Sequence, residues 1–80
     1  MKVIENPRAS RMGDSQTLAK TLKIDVDGVV FGVNMIKRAH LPGWSIVTVS
    51  VRGDFYPEDM TRVCNLAHRA AKSTKLEEEA

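Results

Sequence analysis

The chain has 80 residues, 42% of them hydrophobic and 28% charged, with 12 Lys and Arg against 10 Asp and Glu. That length and composition describe one globular domain and exclude a disordered or collagen-like chain, and the single cysteine, Cys64, excludes an internal disulfide. No apolar run approaches the roughly 18 residues of a transmembrane helix, and residues 1–7 lack the apolar core of a signal peptide, so a cytoplasmic location and no membrane partner are expected.

Three of the acids are Glu77, Glu78 and Glu79, so residues 1–76 carry a net charge of +5, twelve cations against seven acids. This mild basic bias suits an acidic partner without reaching the charge density of a histone. A domain of this size buries only about 60% of its unfolded surface. With neither a disulfide nor an evident metal site to help, self-association is expected to supplement the core.

In chain order, residues 1–16 contain Pro7, Gly13, Arg8, Arg11 and Asp14 without an apolar period, and they are expected to form a flexible N-terminal arm in which Val3 and Ile4 can dock as an edge strand. Leu22, Ile24 and Val26 then alternate with Thr21, Lys23 and Asp25, the period of two of a half-buried strand. Asp27-Gly28 supplies the positive φ angles of a two-residue type I′ turn, and Val29, Phe31, Val33 and Met35 alternate along a second strand. Such a turn pairs Val26 with Val29, Ile24 with Phe31 and Leu22 with Val33; all three pairs are apolar, so turn chemistry and cross-strand faces agree.

Residues 37–43 form a polar connector, and residues 44–51 are rich in β-branched side chains, with Val47, Val49 and Val51 on one face of a third strand. Pro57 opens a helix with Glu58 and Asp59 in its first turn, where acids favour the positive end of the dipole. Met60, Val63, Cys64, Ala67, Ala70 and Ala71 share one helical stripe. The expected fold is α+β: a three-stranded antiparallel sheet, a β-hairpin plus third strand, with one C-terminal helix packed on one face. The domain spans residues 17–76, and an acidic tail occupies 77–80. On the outer sheet face this arrangement leaves Lys23, Val30, Asn34, Ile36, Trp44, Ile46, Thr48 and Arg52, a set apolar enough to attract a partner.

Chemistry-bearing patterns are sparse. Cys64 and His68 lie four apart, half of a zinc site, but His40 is the sole other histidine and no second cysteine exists. Asp25-Val26-Asp27-Gly28 starts like a calcium loop and fails where Val29, Val30 and Ile36 stand in place of a ligand, a glycine and a glutamate. There is no nucleophile elbow, phosphate loop or dinucleotide fingerprint. No catalytic residue, metal or cofactor is expected, and the protein is read as non-enzymatic.

Two binding readings remain. The first is a homodimeric protein-interaction module using Val30, Ile36, Trp44 and Ile46 on the outer sheet face. The alternative is a nucleic-acid-binding accessory or regulatory protein, in which Arg62, Asn65, Arg69 and Lys72 form a polar helix stripe, Lys37 and Arg38 add a basic loop beside Trp44, and Arg8 and Arg11 contribute from the arm. The order of three strands and a helix is similar to that of small DNA-binding modules which lay a sheet into the major groove, such as the plant AP2 type and the arm-binding domains of phage-type integrases. Those sheets present many outward Arg and Trp residues, whereas Lys23, Arg52 and Trp44 are all this one offers, so no family is assigned. A double-stranded-RNA-binding domain also has three strands before its last helix, but that helix begins with a basic cluster and this one with Pro57-Glu58-Asp59.

Overall fold

A computed structural model describes residues 1–13 and 16–73. The proposed acidic tail at 77–80 and the last residues of the expected domain lie outside that set. The elements are β1 (Lys2–Glu5), β2 (Ser10–Arg11), β3 (Leu18–Val26), β4 (Val29–Lys37), β5 (Ser45–Val51) and α1 (Pro57–Ala70). β3, β4 and β5 follow one another across an antiparallel sheet, while β1 and β2 pair in turn along the free side of β3. Five strands therefore replace the expected three.

The central hairpin forms in the expected register, with Val26 opposite Val29, Ile24 opposite Phe31 and Leu22 opposite Val33. Asp27 and Gly28 adopt φ of 51° and 89°, as a type I′ turn requires. From these two strands Leu22, Ile24, Phe31, Val33 and Met35 project under α1, where all are buried. The helix contributes Val63, Leu66, Ala67 and Ala70, and its alanines let the backbone lie close to the sheet. Tyr56 is the N-cap and Pro57 the first helical residue; the Asp59 carboxylate accepts a hydrogen bond from the Tyr56 N–H at 3.2 Å. Phe55, just before the cap, packs edge-to-face on Phe31 with ring centroids 5.4 Å apart.

The far end of α1 is tied to the start of the chain. Asn6 donates from Nδ2 to the carbonyls of Ala70 at 3.0 Å and Ser73 at 2.8 Å, and Lys20 Nζ donates to Asn6 Oδ1 at 2.9 Å and Ser73 O at 3.0 Å. These bonds satisfy carbonyls that a helix C-terminus otherwise leaves open, and they put an ammonium at the negative end of the dipole. Both side chains are buried, and burial holds the Lys20 ammonium below its ordinary value of 10.5. The folded state thus sheds that proton before the unfolded chain does. Stability linked to this group is present above 10.5 and is lost as pH falls through the folded value.

Lys20→Met keeps the alkyl stem and removes the hydrogen bonds that Nζ donates to Asn6 Oδ1 and Ser73 O. It is expected to lower the unfolding free energy by about 1–3 kcal/mol in urea melts at pH 7, and to remove the alkaline slope assigned to Lys20.

Candidate nucleic-acid interface

β5 decides where the aromatic and aliphatic candidates point. It pairs regularly from Val51 to Thr48, opposite Phe31 to Asn34, and then slips by one residue, so that Ile46 rather than Val47 stands opposite Met35. Val47 is the extra residue of a β-bulge. Directly opposite residues share a face, so Ile46 falls on the helix side with Met35. Trp44 follows it there: the indole packs against the core, and Lys20 Nζ lies 5.3 Å from its ring centroid. The expected outer-face placement of Trp44 and Ile46 is therefore corrected. Alternation carried unbroken through Val47 gives the wrong side, and the β-branched run contains no residue that marks the slip.

The outer face retains Val30 and Ile36 from the expected set. Its centre is a polar ladder in which Thr21 Oγ1 donates to Asn34 Oδ1 at 2.6 Å and Asn34 Nδ2 donates to Thr48 Oγ1 at 2.7 Å. An open concavity of about 650 Å³ lies beside it, lined by Arg8, Ser10, Ala19, Ile36 and Val47 among others.

Carboxylates are confined to one half of the molecule, which also holds the cations Lys2, Lys23 and Arg52. The 38 Å long axis accommodates nine-residue strands of roughly 30 Å, so the hairpin turn and the start of α1 occupy one end. The ends of β4 and α1 occupy the other. All six described carboxylates lie in the hairpin-turn half: Asp27 in the turn, Asp25 two residues before it, Glu5 opposite Lys23, and Asp54, Glu58 and Asp59 at the helix start. Glu5 and Lys23 form an exposed ion pair at 3.7 Å. No ion pair joins Glu58 to Arg62, the pairing their i,i+4 spacing favours.

The opposite half contains cations and no carboxylate among the described residues. Lys37 and Arg11 both stand opposite Leu18 on either side of β3. Arg38 follows at the start of the β4–β5 loop, and Arg69 and Lys72 sit at the end of α1, with Arg38, Arg69 and Lys72 all exposed. The loop meets the helix directly, since a Cβ added at Gly43 would stand 4.0 Å from His68 Nε2. The structure thus brings Lys37, Arg38, Arg69 and Lys72 to one end, while Arg62 and Asn65 lie further back along the exposed side of the helix. Arg11, expected with Arg8 to contribute phosphate contacts from the arm, stands on β2 at this end, and Lys20 and Asn6 carry no sequence signal that distinguishes them from other polar residues. Cys64 is half-buried, and no three His, Cys, Asp or Glu side chains among the described residues come together as a metal-holding group. No described helix is long and apolar enough to cross a membrane.

No family model, curated protein or solved structure matches this chain.

Because Trp44 is packed rather than presented, Trp44→Ala is expected to destabilise the fold by about 2–4 kcal/mol, toward the low end of core Trp truncations because the ring is only half-buried. Far-UV circular dichroism in urea measures the loss.

Proposed function

We propose that this protein binds nucleic acid through its basic end, acting without chemistry. The placement of charge supports this reading: Arg11, Lys37, Arg38 and Lys72 stand toward one end, and the described carboxylates lie in the other half. An end about 20 Å across, as the two short extents of 21 and 18 Å give, faces about six base pairs of duplex at roughly 3.4 Å per step. Lys37, Arg38, Arg69 and Lys72 would contact phosphates, and Arg8 and Arg11 would extend the contact onto the β2 side. Phosphate contacts of this type orient the protein but carry no sequence information. The outer-face interaction reading counts on Trp44, which packs against the core, and on Ile46, whose register faces the helix side, while Val30 and Ile36 flank a polar ladder.

Fluorescence anisotropy of a labelled random duplex tests the proposal. Four phosphate contacts give a log–log salt slope of about −3.6, so affinity should fall about a hundredfold between 50 and 200 mM salt. Arg38→Ala and Lys72→Ala should each flatten the slope by about 0.9. Absence of binding at 50 mM, or binding indifferent to salt, is incompatible with this function.

A further inference from the structure

The point at which the chain leaves α1 is fixed beside the cations of the basic end. The carbonyl of Ser73, the last described residue, accepts hydrogen bonds from Lys20 Nζ at 3.0 Å and Asn6 Nδ2 at 2.8 Å. Lys20 stands opposite Met35, and two residues along the same face Leu18 stands between Arg11 on β2 and Lys37 on β4. Two residues of strand span only about 7 Å. Ser73 is therefore held next to the row Arg11, Leu18, Lys37, with Arg38 following Lys37 and Lys72 preceding Ser73 in the chain. Arg11, Arg38 and Lys72 are exposed and Lys37 is half-buried, and no ion pair joins these four to a described carboxylate.

The sequence supplies the complementary charge immediately beyond. Residues 74–80 read TKLEEEA, in which Glu77, Glu78 and Glu79 stand four to six residues past Ser73 and only Lys75 offsets them. At about 3.3 Å per residue those carboxylates reach roughly 13–20 Å from Ser73. The molecule is 21 by 18 Å across its long axis, so that reach covers the basic end, while the hairpin turn lies toward the far end of a 38 Å axis.

We propose that Glu77, Glu78 and Glu79 lie against Arg11, Lys37 and Arg38 of their own chain and compete there with nucleic acid, which makes the segment a built-in regulator of the phosphate-binding end. The inference rests on the nucleic-acid reading of that end. Carboxylates accept the same charge-assisted hydrogen bonds from Lys and Arg as phosphate oxygens do, and attachment at Ser73 makes the contact intramolecular. A duplex displaces the acids, and its apparent affinity is lowered by the contacts it must replace.

Two measurements test this. Without nucleic acid, Glu77→Gln/Glu78→Gln/Glu79→Gln should shift the backbone amide resonances of Lys37 and Arg38, distant in sequence, and leave those of Asp27 and Gly28 unmoved. Arg38→Ala should in turn shift the amides of Glu77, Glu78 and Glu79, and serves alone if the glutamine variant does not fold. In anisotropy titrations at about 50 mM salt the glutamine variant should bind duplex about tenfold more tightly than wild type, the order expected of three exposed ion pairs, and the advantage should narrow at about 200 mM as screening weakens them. Asp25→Asn/Asp54→Asn/Glu58→Gln removes as many charges from the other half and should change affinity by less than about twofold, since those charges lie beyond a Debye length from the site. An equal gain from this control overturns the proposal, as do Lys37 and Arg38 resonances in the wild type that move with protein concentration, which would place the contact between chains. Duplex binding without the amide shifts refutes the contact alone, whereas amide shifts without duplex binding by either protein refute the nucleic-acid reading alone.

Discussion

The Asp27-Gly28 turn is the constraint on which the rest of the molecule depends. A two-residue turn with both central φ angles positive admits one register, and that register puts Leu22, Ile24, Phe31, Val33 and Met35 on a single face. A slip by one residue would expose all of them. The helix has a surface to lie on only because this register holds, and β5 and the β1/β2 edge inherit their facing from it.

The charge distribution follows from the same geometry and from the helix. α1 runs from the hairpin-turn end toward the β4–β5 loop, so acids that suit its N-terminus and cations that suit its C-terminus are drawn to opposite ends of a 38 Å molecule. Part of the segregation thus stabilises α1. Arg11, Lys37 and Arg38 lie on strands or loops and owe nothing to the helix dipole, which is why the basic end invites a functional reading and the acidic end does not.

What was legible in the sequence followed long, unbroken periodicity. The hairpin, its turn, the third strand and the helix are each written in at least seven residues of consistent pattern. The first two strands are not: β1 offers one buried apolar residue, Val3, before its register slips, and β2 is two residues long. β1 falls on the Val3–Ile4 edge strand that the sequence allowed, whereas β2 is held by pairing to β3, a tertiary cause with no local trace. Leu66 went unplaced on the helix stripe because it sits at the margin of the arc that the alanines define. The bulge at Val47 had a larger effect on the candidate site, since one extra residue turned Trp44 and Ile46 to the helix side of the sheet, where Trp44 packs against the core and Ile46 stays exposed. The division of charge was hidden for another reason: residues far apart in sequence, such as Arg11, Lys37 and Lys72, become neighbours only when the strand directions are known.

The bonds from Asn6 to Ala70 and Ser73 span 64 and 67 residues of chain. The hairpin needs only residues 18–37, whereas the bonds from Asn6 and Lys20 to Ala70 and Ser73 need the end of α1 as well. Closing a loop of that length costs entropy, and these bonds need the last helical turn in place. The first strands and the last helical turn therefore hold one another, so that loosening either end of the chain loosens the other.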